Sequence, residues 1–182
     1  MTVPSCGGDG GTPEEAGRDT RVLVEGALCV ALSVVLSHLV FLRMPQGGSI
    51  TLEMAPLLYF SYRHGFKKGV LAGGLSGLLQ MFLGGYVVHP LQAMLDYPLA
   101  FAAMGVAGLF ARKLVAGTFA ACALRLLCHV LTGVVFFSRY APELQNPWIY
   151  SLVYNSTYIV PSTALSATAA WILACRLGGV RK

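Results

Sequence analysis

Charge is scarce in this sequence. Only 12% of its 182 residues are Asp, Glu, Lys or Arg, whereas 55% are hydrophobic. A soluble domain carries roughly twice that charged fraction. The mean hydropathy of +0.65 therefore indicates a protein whose apolar surface needs lipid as its solvent. The net charge of +5 comes from basic residues in short clusters between apolar runs, which is typical of membrane topology and not of a nucleic-acid-binding face.

Metal and nucleotide signatures are also missing. The five cysteines are scattered, with neither a CxxC pair nor a Cys/His spacing that would hold a metal, and most of them lie in apolar runs. The sequence has no GxxxxGK[ST] motif, so the chain does not itself bind ATP through a P-loop. We infer no disulfide, no metal and no cofactor.

The two ends of the chain differ from its middle. Residues 1–19 are rich in Gly, Pro and acid, which predicts a disordered tail. This tail lacks the positively charged start of a signal peptide. We therefore expect a disordered cytoplasmic tail at 1–19, a membrane domain at 20–176 and a basic cytoplasmic tail at 177–182.

Six apolar segments lie between these tails, at about 21–42, 52–62, 66–85, 90–111, 115–138 and 147–175. They predict an all-α membrane protein with six transmembrane helices. The second segment is too short to cross about 30 Å of hydrocarbon, which takes about 20 helical residues. We expect it to tilt, to lean on its neighbours or to continue from a buried loop. The many glycines of the third segment favour close helix packing.

The distribution of Lys and Arg predicts the orientation. In a six-span arrangement, ten of the 13 basic residues fall on the side that holds both termini and the connections near 63–68 and 111–114. Because cytoplasmic loops carry the excess of Lys and Arg, both termini of this multi-pass protein should be cytoplasmic, and the membrane should be the cell membrane.

Polar residues collect at the opposite, outer ends of the segments. An ionisable side chain at membrane depth is a functional candidate by default. Asp96, about a turn and a half into the fourth segment, is either half of a structural ion pair with Arg125 or His129, or the counter-charge for a cationic or amino-bearing ligand. Its neighbour Tyr97 is a packing residue, an interface anchor, or a ring under a flat ligand.

The fifth segment carries a stripe at four-residue spacing, formed by Arg125, His129, Gly133 and Phe137. The stripe favours a pocket wall in which Gly133 leaves room for a ligand. A membrane histidine can equally be satisfied by an interhelical hydrogen bond. In the sixth segment, Tyr150 and Asn155 should face one pocket only if the helix begins irregularly after Pro147.

Four stretches together resemble the thiamine-specific S-components, the ThiT family, of energy-coupling factor transporters: Met44 to Ile50, His89 to Gln92 with Leu95 to Tyr97, Arg125 to Phe137, and Tyr150 to Asn155. The resemblance covers about residues 20–175. It implies the S-component fold and thiamine binding near the outer surface. It also implies a separate energising module of one coupling membrane protein and two ATPase subunits.

The resemblance further implies a set of substrate-binding residues: Asp96, Tyr97, His129, Gly133, Phe137, Tyr150 and Asn155. Some family members have Glu in place of Asp96, Trp in place of Phe137 and Lys in place of Arg125. The first outer loop has no Trp, so a Trp lid is not carried over. These residue types suit thiamine. A carboxylate can accept a hydrogen bond from the amino group of its pyrimidine ring or pair with its thiazolium cation. Each aromatic face can attract the cationic ring by about 0.5–2 kcal/mol.

The first segment also carries an AxxxA pair, Ala27 and Ala31. S-components are similar here and dock on the coupling protein through this face. The alternative is ordinary packing of small residues within the chain.

Two other functions compete with a binding subunit. One is a self-contained secondary carrier for a cationic or aromatic solute, although carriers often show internal repeats and none is convincing here. The other is an intramembrane enzyme, because Gly74-Leu75-Ser76-Gly77 matches the GxSG pattern of rhomboid proteases and His129 could pair with Ser76. The match is weak in a glycine-rich helix, and we expect no enzyme activity.

Overall fold

The computed structural model describes residues 13–45, 47–110, 113–142 and 145–177. The remainder of both predicted tails (1–12 and 178–182) and residues 46, 111–112 and 143–144 lie outside the described residues. Within the described ranges the elements are α1 (Pro13–His38), β1 (Leu42–Arg43), β2 (Ser49–Ile50), α2 (Met54–His64), α3 (Phe66–Phe82), α4 (Pro90–Phe110), α5 (Leu114–Phe136) and α6 (Pro147–Leu177). The predicted helical fold class is confirmed.

The first helix differs from its predicted bounds at both ends. Residues 13–19, predicted to be disordered, form the first turns of α1. The helix begins at Pro13, a residue whose fixed φ suits a first helical position. At the other end α1 stops at His38, and residues up to 50 form a short antiparallel hairpin in which Leu42 pairs with Ile50. The rest of the division into tails and membrane domain stays a prediction.

Four helices of the described part are long and apolar enough to cross a membrane: residues Gly17–His38 of α1, then α4, α5 and α6. α2 has 11 residues and α3 has 17, fewer than the about 20 that a straight crossing takes. These four helices identify the protein as a membrane protein. That the chain crosses the membrane six times stays a prediction.

The short helix α2 lies inside the bundle. Its residues Met54 to Tyr62 are all buried, and it contacts α1, α3, α4 and α6. The segment before it is buried too, at Thr51 and Glu53. An 11-residue helix is only about 16 Å long, so α2 relies on neighbouring helices to shield it. This matches two of the arrangements expected for the second segment, leaning on neighbours and continuing from a buried loop.

The glycines of α3 allow the backbone of α4 to pack directly against the backbone of α3. Gly69, Gly73 and Gly77 repeat every four residues and so share one face. A Cβ at these three positions would collide with Gly105, with the Phe101 carbonyl and with the Tyr97 carbonyl, respectively. The predicted close packing of the glycine-rich segment is confirmed.

The helix α4 is irregular in its middle. Residues Leu95–Leu99 form a π turn, and residues Ala103–Phe110 form a 3-10 segment. Pro98 lies inside the π turn and has no N–H to donate. The N–H of Ala100 donates to the carbonyl of Leu95, five residues back. Single π turns in helices are frequent at functional sites, and this one carries Asp96 and Tyr97.

Candidate substrate-binding site

A cavity of about 410 Å³ opens at the end of the bundle that holds the β-hairpin, the α3–α4 loop and the first turns of α6. This volume is within the range of small-molecule sites. The structure brings together around it all seven residues predicted to bind substrate: Asp96, Tyr97, His129, Gly133, Phe137, Tyr150 and Asn155. Arg125, the first residue of the predicted α5 stripe, lines it as well.

Asp96 is held by side chains from two helices. His129 Nδ1 lies 2.9 Å from Asp96 Oδ1, and both side chains are 12% exposed. Thr132 donates its hydroxyl to the same oxygen at 2.6 Å, and Gln92 donates its amide to Oδ2 at 2.6 Å. Of the two ion-pair partners considered from sequence, His129 is the one in place. The pair does not remove Asp96 from the cavity, since both residues line it.

His129 also has a nitrogen directed away from this contact. Its Nε2 is buried and has no hydrogen-bond partner within the described residues. A buried polar nitrogen without a partner is costly. Because His129 lines the cavity, a ligand there can supply the partner.

Arg125 pairs with Glu53 and not with Asp96. Its Nη2 donates to Glu53 Oε1 at 2.7 Å, and its guanidinium carbon lies 4.2 Å from the ring centroid of Phe101. All three residues line the cavity. Arg125 Nη1 is buried without a partner in the part of the chain that the structure describes. This pair adds a second charged region to the cavity wall.

Sequence reasoning missed Glu53. The same rule that selected Asp96, an ionisable residue at membrane depth, applies to Glu53 at the start of a short apolar segment. Thr132 was also missed, and it carried a weaker signal. It lies three residues after His129 on the same helix face, but a lone threonine in an apolar segment is commonplace.

Aromatic rings cover the walls nearer the opening. Tyr86 stacks on Phe137 with centroids 6.2 Å apart, and Tyr150 stacks on Tyr154 at 6.1 Å. Tyr97 has a structural contact as well, because its hydroxyl accepts a 2.6 Å hydrogen bond from the Tyr86 N–H and so ties the α3–α4 loop to α4. Every one of these rings lines the cavity.

An irregular start of α6 is not needed for Tyr150 and Asn155 to share a pocket, contrary to the condition stated from the sequence. The helix is continuous from Pro147 through Asn155, yet Tyr150 and Asn155 both line the cavity. Two adjoining stripes of α6 face it, one with Tyr150 and Tyr154, the other with Ser151, Asn155 and Tyr158. Asn155 is held in place, since its Nδ2 donates to the Ser151 carbonyl at 2.8 Å and its Oδ1 accepts from Tyr158 at 2.6 Å.

Gly133 has a different function from the one predicted. A Cβ at this position would collide with the hydroxyl of Ser151. The glycine therefore lets α5 and α6 approach each other, and it does not simply leave space for a ligand. It still lies in the cavity wall between His129 and Phe137.

The loop of the β-hairpin forms another wall. Gly47 and Gly48 have φ values of +88° and +87°, which side chains rarely adopt. Tyr154 donates its hydroxyl to the Gly47 carbonyl at 3.0 Å, and Gly48 lies against the Tyr158 ring so closely that a Cβ would collide with it. α6 thus holds the loop over the cavity by contacts to its backbone.

The chain resembles known transporters over most of its length. A family model described as thiamine transporter protein matches residues 23–180. The chain is 39% identical over 170 residues to the thiamine transporter ThiT of Bacillus subtilis (strain 168), covering 83% of this chain and 88% of that protein. It is 29% identical over 176 residues to the thiamine transporter ThiT of Lacticaseibacillus paracasei, covering 84% of this chain and 86% of that protein.

The fold is similar to a solved structure as well. ThiT from Listeria monocytogenes superposes with a TM-score of 0.78 at 26% identity, covering 86% of this chain and 94% of that one. The relatives are transporters and not enzymes, which excludes the intramembrane enzyme. Ser76 is accordingly fully buried and hydrogen-bonded to Ser33, while His129 contacts Asp96.

Proposed function

The chain belongs to the thiamine transporter protein family, and from this membership we propose that it is the substrate-binding S-component of an energy-coupling factor importer. It captures thiamine at the outer face, and partner subunits drive uptake with ATP. The observation that supports this most is the convergence of all seven family-derived positions on one cavity around Asp96. Residues from α4, α5 and α6 contribute to that set.

The carboxylate suits the amino-bearing ring of thiamine. Gln92, Thr132 and His129 fix the orientation of Asp96 within the cavity wall, and a carboxylate oxygen can accept more than one hydrogen bond. The 4-amino group of the pyrimidine can donate to it, and His129 Nε2 provides a further polar contact. Hydrogen bonds that involve a charged partner are about twice as strong as neutral ones.

The aromatic walls suit the thiazolium cation. Tyr86, Phe137, Tyr150 and Tyr154 line the cavity near its opening. A cation over an aromatic face gains about 0.5–2 kcal/mol. Phe137 supplies one such face in the cavity wall.

The proposed docking face for the coupling protein is on α1. Ala27 and Ala31 are both exposed, whereas Val30 and Ser33 of the same helix are buried. Exposure removes the support for the alternative, packing within the chain. Small exposed residues let a partner helix approach closely, and the energising module consists of one coupling membrane protein and two ATPase subunits.

The proposed location is the cell membrane, with both termini cytoplasmic. Lys67, Lys68, Lys113 and Arg176 are exposed at helix ends away from the cavity, as the positive-inside rule asks of the cytoplasmic side. Cysteines introduced near residue 65 should react only with reagents that cross the membrane. Labelling by an impermeant reagent added outside whole cells contradicts this orientation.

Reconstitution into vesicles tests the S-component assignment. Vesicles holding the chain with the coupling protein and both ATPases should accumulate thiamine when ATP is present on the ATPase side. Vesicles with the chain alone should not accumulate it under a proton or sodium gradient. Gradient-driven accumulation by the chain alone identifies a secondary carrier and overturns the proposal.

A further inference from the structure

A chain of buried hydrogen bonds, here called the serine bridge, joins α1 and α3 to the residue that precedes α2. It consists of Gln80, Ser76 and Ser33. Gln80 Nε2 donates to Ser76 Oγ at 3.1 Å, Ser76 Oγ donates to Ser33 Oγ at 3.0 Å, and Ser33 Oγ donates to the Glu53 carbonyl at 2.7 Å. Both hydroxyls are 0% exposed, and each one accepts one hydrogen bond and donates another.

The two ends of the serine bridge lie in the cavity wall, whereas its middle does not. Gln80 and Glu53 line the cavity. Ser33 and Ser76 lie behind the wall, between α1 and α3. Beyond Glu53 the contacts continue, because its carboxylate accepts from Arg125, whose guanidinium lies over Phe101.

Some other buried hydroxyls of the described residues bond only within their own helix. Ser61 donates to the Leu57 carbonyl and Thr163 donates to the Ile159 carbonyl, four residues back in their own helices. Such a bond gives the hydroxyl an acceptor in its own helix and does not connect that helix to another element. The bonds from Ser76 to Ser33 and from Ser33 to Glu53 instead cross from one element to another.

We propose that Ser33 and Ser76 are positioning residues for the binding site, which act through the main chain of Glu53. By holding the Glu53 carbonyl, the serine bridge fixes the carboxylate that pairs with Arg125 and so sets this wall of the cavity. It also joins the wall to α1, the helix that carries Ala27 and Ala31. The inference rests on the proposed function, because the site is taken to bind thiamine.

Alanine substitutions test the serine bridge. Ser33→Ala and Ser76→Ala should each raise the thiamine Kd of the purified chain by about three- to tenfold, the loss expected for one buried neutral hydrogen bond. Ser61→Ala is the matched control, since it removes an equally buried hydroxyl that bonds within α2 and does not line the cavity. Its Kd should equal that of the unmodified chain.

A double-mutant cycle separates positioning from general destabilisation. If Ser33 acts through Glu53, the effect of Ser33→Ala on Kd should shrink in a Glu53→Gln background, because coupled residues are not additive. A purely structural contribution lowers the unfolding temperature but leaves the Kd of the folded protein unchanged. Unchanged Kd values for folded Ser33→Ala and Ser76→Ala overturn the inference, as does an undiminished effect in the Glu53→Gln background. Failure of the unmodified chain to bind thiamine rejects the proposed function instead.

Discussion

At the scale of single residues, the site depends on one carboxylate with fixed surroundings. Asp96 has three side-chain partners, from α4 and α5, so its oxygens cannot turn away from the cavity. This arrangement is energetically unfavourable by itself, because it places a charge among apolar helices. Such a charge is retained where it has partners of its own and a function to perform.

The first prediction concerns that charge. Asp96→Asn should weaken thiamine binding by roughly 1.5–3 kcal/mol, the range for a hydrogen bond to a charged group. Isothermal titration of the folded variant measures the loss. Asp19→Asn, at an exposed position of α1, is the control and should bind as the unmodified chain does. Equal affinities for the two variants remove Asp96 from the site.

Much of the site was predictable residue by residue, and the reasons for the gaps are physical. Asp96 and His129 stand out in sequence because ionisable side chains are rare in apolar helices. Thr132 does not stand out, since its contribution is a hydrogen bond that only the distance to Asp96 reveals. Gly133 lies in the cavity wall, but the sequence did not reveal its crowding by Ser151, which depends on how α5 and α6 pack.

At the scale of elements, the hydrophobic segments predicted the positions of the helices. They predicted less well where each helix begins and ends, and where it bends. The sixth segment was predicted at 147–175 and forms α6, Pro147–Leu177. The hairpin after α1 has strands of two residues, too short for an alternating pattern to show. The π turn in α4 depends on where the Ala100 N–H finds an acceptor, which composition does not encode.

The second prediction tests the α3–α4 contact with two adjacent glycines. Gly73→Ala should destabilise the protein by about 1–3 kcal/mol, since its Cβ would collide with the Phe101 carbonyl. Gly74→Ala is the control, because the nearest atom to its Cβ is Ala102 Cβ at 3.9 Å. It should be neutral or slightly stabilising, as alanine is the better helix former. Thermal unfolding in detergent measures both, and equal unfolding temperatures contradict the packing account.

The third prediction concerns the outward face of α1. Ala27→Leu combined with Ala31→Leu should abolish copurification of the coupling protein and leave the thiamine Kd unchanged, because bulky side chains prevent close helix approach and neither alanine lines the cavity. Ala116→Leu with Ala123→Leu, at exposed positions of α5, is the matched control. Copurification that survives the α1 substitutions places the docking face elsewhere.

At the scale of the whole molecule, the proposed binding site and the proposed docking face lie apart. The cavity lies at one end of the bundle, and all seven proposed substrate-binding residues belong to this one chain. The exposed alanines of α1 lie nearer the opposite end, beside the turn that carries Glu25 and its partners Arg63 and His64. This separation is consistent with the proposal that the chain captures thiamine by itself and needs partner subunits for transport.

The distribution of Lys and Arg predicts the orientation of the whole bundle, whereas segment length does not predict how α2 lies within it. α2 is too short to be recognised by length, because its shielding comes from neighbours that a linear sequence does not show. Its burial is nevertheless what allows Glu53, just before its first turn, to face the cavity.

The central claim is that this chain, without any partner, binds thiamine in the cavity around Asp96. The most direct test is calorimetric titration of thiamine into the purified chain in detergent. We expect saturable binding with one thiamine per chain, because the seven candidate contact residues surround a single cavity. Heats no larger than those of dilution, from a chain shown to be folded, contradict it.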